Sequence, residues 1–248
     1  LDYLKRDGFY TGVSEGTIGS DRIIKLFNIA EDNLVLDEKG IYSIEHFLIA
    51  RRVMYWQVYL HKTTVCAENM LIQIIRRAKE LALSGSLDIA TGTALDYFLF
   101  NPISEKTQKD TKGYLNAFLS IDDYDILVSL KKWQINPDFV LSRLSKGIID
   151  RHLFGILISP NPFDKNFVEE KKFDIAKKLS IREELVNYFL IEGIINNEAY
   201  VSGSEKINIL RKSGKVEDIA EASDLQNIKA MSKIVLKHYL CSPKYVYL

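Results

Sequence analysis

Apolar residues recur at helical spacing over most of this chain and at strand spacing only in short pieces. Residues 1 to 30 read as a helix end, a glycine-containing turn from Thr11 to Gly16, and a second helix. In that helix Asp21 is placed to cap the amphipathic run Ile23, Ile24, Leu26 and Phe27. Asn33 to Leu36 and Gly40 to Ser43 read as a short hairpin that turns over Asp37 to Gly40. From Ser43 a long helix runs through Phe47, Ile49, Val53, Trp56 and Leu60. Another follows from Ala67 to Leu83 and breaks at Ser84-Gly85-Ser86. Thr91 to Phe100 reads as a short helix or connector that stops at Asn101-Pro102.

Residues 103 to 113 are polar and lysine-rich, the composition of a mobile insertion. Ile121 to Trp133 and Pro137 to Gly147 read as two more helices, the second opening at Pro137 behind Asn136. The apolar run 151–159 reads as a strand. Phe167 to Leu179 and Arg182 to Phe189 are helical with one charged face. Ala199 to Val201 and Ile207 to Leu210 read as strands, with a turn at Ser213-Gly214-Lys215 and a returning strand from Val216 to Ala220. Leu225 to Leu240 reads as a closing helix. The expected fold is mainly α: a helical body over residues 1–155 and a small mixed α+β region over 156–248.

Composition narrows the function classes. Thirty-three basic residues balance 33 acidic ones, which gives no general signal for nucleic acid or a membrane surface. No apolar run approaches the roughly 20 residues of a membrane span. Cys66 and Cys241 have no CxxC spacing and read as two reduced thiols, so a cytoplasmic setting is expected. The chain contains no GxGxxG, Walker loop, GxSxG, HExxH or EF-hand pattern.

Candidate chemistry gathers on two segments. Arg51, Tyr55 and Tyr59 recur every fourth residue and drift by only about 40° per step on an α-helix; Lys62 returns to within about 20° of Arg51. One helix face would then carry a guanidinium, two phenols and an ammonium. That set suits a phosphorylated, ring-bearing ligand: arginine forks onto phosphate oxygens, and phenols stack on a base or bond a sugar hydroxyl. The same spacing also describes an amphipathic helix with half-buried tyrosines and solvated cations. Near the start, Tyr3 and Asp7 lie one helical turn apart, as do Asp2 and Arg6, which read as a structural ion pair. The histidines are His46, His61, His152 and His238. None precedes an aspartate, none is assigned as a metal ligand, and His152 reads as a capping or core residue.

Two runs carry a resemblance. Asp2-Tyr3-Leu4-Lys5-Arg6-Asp7, followed by aromatics and Gly12, resembles the D-x-x-D-Y-x-x-R-D run of the HD-domain deoxynucleotide triphosphohydrolases. The first Asp of that run, a metal ligand, would lie two residues before Leu1. The stretch from Glu45 to Lys62 is similar, without a gap, to the family's E-x-F-x-x-A-R-x-x-M-Y-x-x-V-Y-x-H-K pattern. The resemblance covers about the first 85 residues and continues more weakly through Tyr124 to Phe154.

It implies a metal-dependent phosphohydrolase that releases triphosphate from a deoxynucleoside triphosphate by attack of water on the α-phosphorus. Tyr3, Asp7 and Tyr59 would meet the deoxyribose, Arg51 the phosphates, and Tyr55 the phosphate and sugar region. His61 and Lys62 would lie near phosphate or a regulatory nucleotide. The resemblance also implies a divalent metal (Mn, Mg, Fe, Ni or Zn) whose ligands fall outside this chain, and a homo-oligomer, dimer or tetramer, using helices 44–83 as an interface. No catalytic residue is expected within the chain, which alone should be inactive. The alternatives are a non-catalytic nucleotide-binding, oligomerisation or regulatory module, and an HD-type relative acting on another phosphate ester.

Overall fold

A computed structural model describes residues 1–101, 111–197, 200, 206–225 and 235–246. Its α-helices are α1 (Asp2–Thr11), α2 (Ser20–Lys25), α3 (Ile41–Met54), α4 (Lys62–Leu83), α5 (Leu95–Phe100), α6 (Thr111–Ser120), α7 (Asp123–Trp133), α8 (Phe139–Ile149), α9 (Lys165–Leu179), α10 (Glu183–Val186) and α11 (Ile219–Ala222). Its strands are β1 (Phe27–Ala30), β2 (Asn33–Asp37), β3 (Gly155–Ser159), β4 (Ile191–Asn197), β5 (Asn208–Leu210), β6 (Val216–Asp218) and β7 (Val235–Ser242). The strands form two small sheets, in the orders β1-β2-β5-β6 and β3-β7-β4. The expected class, a helical body with a small mixed α+β region, is what is found.

Two compact units divide the chain: residues 1–64 with 194–238, and residues 65–193 with 239–248. The boundary read from sequence, at 155/156, falls inside the second unit.

In the first unit, α3 buries Ile41, Ile44 and Leu48 against Ile23, Leu36, Ile209 and Ile219. Its next turn buries Ala50 and Met54 against Leu4 of α1 and Ile18. The two clusters fix α1 and α3 on one scaffold. Glu45, almost fully buried, accepts a hydrogen bond from the Ser223 hydroxyl at 2.5 Å, which satisfies one of its oxygens. In the second unit, Met70, Ile74 and Ala78 of α4 pack with Leu130, Trp133, Leu141 and Phe189. Arg77 bonds Asp138 through Nε at 3.2 Å and Nη2 at 2.6 Å, and the Asp138 carboxylate also caps α8 at Leu141 N, 2.9 Å away. Cys66 and Cys241 are free, buried thiols with their sulfurs 3.5 Å apart.

The structure corrects several expectations. The hairpin pairs β1 with β2, Phe27 opposite Leu36, and turns at Glu31 and Asp32 with φ of 51° and 59°. Two consecutive positive φ values belong to the tight hairpin turn that matches strand twist. Phe27 is therefore strand rather than helix. Asp37 does not open a turn between strands. Its side chain accepts Lys39 N at 3.0 Å and starts a short 3-10 turn that leads into α3 at Ile41, two residues before Ser43. Helix α2 begins at Ser20 with Gly19 at its cap, and no side chain, Asp21 included, makes the capping bond.

The closing helix is overturned where it is described: residues 235–242 are β7, which lies between β3 and β4. Its Val, Tyr and Leu suit either period, and pairing on both sides decides the outcome. Strand β4 was not anticipated. Residues 103–110 of the expected insertion, and Ala199 and Val201 of an expected strand, lie outside the described residues; α6 begins at Thr111. His152 is exposed rather than a core residue, and His238 sits half-buried on β7 rather than on the expected closing helix.

Candidate functional site

The first unit brings five of the residues singled out in the sequence onto one wall. Tyr3 and Asp7 project from α1. Arg51 stands in the last turn of α3, and Tyr55 and Tyr59 open and close a five-residue π-helical segment that continues it. The Tyr59 hydroxyl donates to Asp7 Oδ2 at 2.5 Å. The rings of Tyr3 and Tyr59 are 6.1 Å apart, and those of Tyr55 and Tyr59 meet edge to face at 5.4 Å. The Arg51 guanidinium carbon lies 5.7 Å from the centre of the Tyr55 ring, within range of a cation–π contact.

The π segment is a local departure that helical periodicity does not reveal. Leu60 N reaches back five residues to Tyr55 O at 2.7 Å, the bond that defines such a turn. Isolated π turns inside α-helices are frequent at functional sites. This one ends the regular wheel: Leu60 and His61 are not helical, and α4 restarts at Lys62. The single face from Arg51 to Lys62 therefore does not survive, and the geometric argument for Lys62 goes with it. Both His61 and Lys62 are exposed, and His61 Nδ1 accepts Thr63 N at 3.3 Å. Within the same segment Trp56 receives the Lys237 ammonium 4.0 Å from its ring centre, a partnership invisible to periodicity.

Electrostatics agree with the geometry. Burial, and then the bond to Asp7, push the Tyr59 phenol above its ordinary value, so it stays a donor at neutral pH. The Nε of Arg51 is buried and has no hydrogen-bond partner among the described residues. An orphaned buried donor on a charged group costs about 1–3 kcal/mol or more until an acceptor arrives. The wall thus offers an unspent cationic donor, three phenols and a carboxylate. These groups can grip a phosphate, cover a flat ring and accept a hydroxyl proton.

The expected pair of Asp2 and Arg6 is present at 2.6 Å on the exposed side of α1. Among the described residues no group of three or more His, Cys, Asp or Glu side chains is placed to hold a metal ion. A separate cleft of about 340 Å³ in the second unit is rimmed by Arg143, Lys146, Arg151, His152 and Lys244. Gly147, Leu153 and Phe154 line the same cleft.

Comparison with known proteins adds to this geometry. Residues 18–90 match the family model of the HD associated region. A phosphohydrolase from Bacteroides thetaiotaomicron has a similar structure, with a TM-score of 0.88 and 47% identity over 97% of this chain and 60% of that one. A hypothetical protein from Aquifex aeolicus shares the fold at a TM-score of 0.62 and 23% identity, over 98% of this chain and 53% of that one. An uncharacterized protein of Bacillus subtilis is 29% identical over 230 residues, 90% of this chain and 50% of that protein. The chain spans about half the length of the curated relatives it matches. The family match over residues 18–90 and the like fold of a phosphohydrolase together support an HD-type family.

Proposed function

We propose that the whole protein is a deoxynucleoside triphosphate triphosphohydrolase and that this chain supplies the wall on which the nucleotide lies. One observation carries the reading. Asp7 and Tyr59, from separate helices, meet at 2.5 Å beside Tyr3, while Arg51 one helix turn away from Tyr55 keeps a buried Nε without a hydrogen-bond partner among the described residues. Arg51 takes a phosphate oxygen and offsets its charge. Asp7 accepts the 3′-hydroxyl of the sugar. The rings of Tyr3 and Tyr59 pack on the deoxyribose and leave no room for a 2′-hydroxyl, and Tyr55 holds the guanidinium from beneath. The help given to the reaction is positional and electrostatic.

HD-domain phosphohydrolases generally use divalent metals. The described residues of this chain do not fit such a site, and the ligands for Mn, Mg, Fe, Ni or Zn would come from elsewhere in the whole protein. His61 and Lys62, at the exposed junction before α4, are left for phosphate or a regulatory nucleotide. The test is calorimetric titration of deoxynucleoside and ribonucleoside triphosphates into the longer protein, with Asp7→Asn and Arg51→Ala beside it. Preference for the deoxy ligand that Asp7→Asn diminishes supports the reading; equal binding of both sugars by every variant refutes it.

A second reading, a helical assembly module, draws on one feature. Leu115, Phe118 and Leu119 of α6 and Tyr124 of α7 are exposed. Light scattering separates the two: an assembly that forms without any nucleotide affinity favours the module.

A further inference from the structure

We infer that Gly16, wedged between α1 and Met54, is a positioning residue that sets the separation of Asp7 and Tyr59. The inference deepens the nucleotide-wall reading and rests on it only for its ligand consequences. Neither Gly16 nor Gly8 has a positive φ, so their backbones suit any residue. What excludes a side chain is space. A methyl on Gly16 would stand 2.9 Å from Met54 Sδ, 3.3 Å from Gly8 Cα and 3.3 Å from Leu4 O. One on Gly8 would stand 3.3 Å from Val13 O and 3.5 Å from Gly16 Cα.

Those contacts lie on two sides. Leu4 O and Gly8 Cα are backbone atoms of α1, the helix that carries Tyr3 and Asp7. Met54 is the last residue of α3 and directly precedes Tyr55, where the π segment begins. Leu4 O is a backbone atom and cannot turn aside, and Met54, though flexible, is fully buried and has no solvent to turn into. The turn that holds Gly16 is tied to α1 by Val13 N on Gly8 O at 3.2 Å and by Gly16 N on Val13 O at 3.2 Å. A side chain at 16 therefore presses on the α1 backbone from one side and on Met54 from the other, and whatever Met54 does not yield moves α1 from the end of α3. Asp7 is the neighbour of Gly8 and moves with it. Tyr59 is fixed through the π segment, and the bond between them opens. Close packing makes interiors transmit such a displacement.

The test is a size series, Gly16→Ala and Gly16→Val, each alone and combined with Met54→Ala. The first readout needs no ligand: a double-mutant cycle of Tyr59→Phe and Asp7→Asn, followed by urea unfolding of this chain. Coupling of about fivefold in the unfolding constant is expected with Gly16. It should shrink with Ala, vanish with Val, and return when Met54→Ala vacates the clash. Should Gly16→Val not fold, the Ala variant with and without Met54→Ala decides alone. The second readout is the longer protein's kinetics, where KM for the deoxynucleotide should rise about tenfold with kcat largely kept. Full coupling in the Ala and Val variants, or loss that Met54→Ala fails to restore, overturns the inference. Coupling that behaves as expected while KM stays put supports the seam and instead refutes the nucleotide reading of the wall.

Discussion

Tyr59→Phe removes one hydroxyl and little else. The ring remains, so its contacts with Tyr3 at 6.1 Å and Tyr55 at 5.4 Å persist. The hydrogen bond to Asp7 is lost, and a bond to a charged acceptor contributes about 1.5–3 kcal/mol. Asp7 and Tyr59 are both only half-buried, so water can replace the phenol at the carboxylate. We therefore expect a loss below that range, about 1 kcal/mol, measured by urea denaturation at pH 7. The pH dependence supplies an independent check. The Tyr59 phenol titrates above its ordinary value, first through burial and then through Asp7. A group whose proton is held more tightly in the folded state stabilises that state below its unfolded pKa. That contribution fades as pH rises from about 10 through the higher folded value. Wild-type stability should accordingly fall faster above about pH 10 than that of Tyr59→Phe. Equal stability of the two proteins at pH 7, together with parallel alkaline profiles, would show that the bond is absent in solution.

Other perturbations follow from the same structure. Asp138→Ala removes the α8 cap and the partner of Arg77, and should destabilise by about 2–3 kcal/mol in urea at pH 7. Burial alone would raise the Asp138 carboxyl, but the bonds from Arg77 and Leu141 outweigh it and hold it low. This stabilisation is present above the unfolded value of about 3.9 and lost as pH falls through the folded one, so the gap between wild type and variant should close in an acid titration. Trp133→Ala empties a fully buried site and frees the acceptor Ile89 O, 2.9 Å from the indole nitrogen; a loss of about 3–5 kcal/mol is expected by thermal or urea unfolding. Asp2→Ala, by contrast, breaks an ion pair whose partners are 63% and 78% exposed, and should change stability by less than about 0.5 kcal/mol. The 248-residue chain alone should release no triphosphate from any deoxynucleotide, as measured by phosphate-coupled assay of contaminant-free protein.

The fold class and the residues that share the wall were legible in the sequence; several element boundaries were not. Tyr3 with Asp7, and Arg51 with Tyr55 and Tyr59, share a spacing of four that helical geometry turns into a common face, and the family resemblance, not the spacing, singled that face out. Their meeting across two helices needed the structure, since no periodicity encodes which helix faces which. The shared face of Arg51 and Lys62 fails because a π turn leaves no mark in the pattern of apolar positions, and a wheel drawn through it misplaces everything beyond. Strand β7 was taken for helix because the run from Val235 to Leu240 has no clean period, and only its place between two other strands settles its state. The hairpin was misplaced by several residues for want of a glycine or asparagine at its turn: Glu31 and Asp32 adopt the left-handed conformation without the residues that usually signal it. Gly16 lay unnoticed because a glycine kept for clearance looks, in sequence, like any loop glycine.

The account turns on Arg51 as the group that receives phosphate. Titration of a deoxynucleoside triphosphate, its monophosphate and the bare deoxynucleoside into the longer protein, wild type against Arg51→Ala, tests that assignment. The account predicts that the variant weakens the triphosphate about 10- to 100-fold while the nucleoside is held equally by both proteins. Equal affinity of the two proteins for the triphosphate would contradict it.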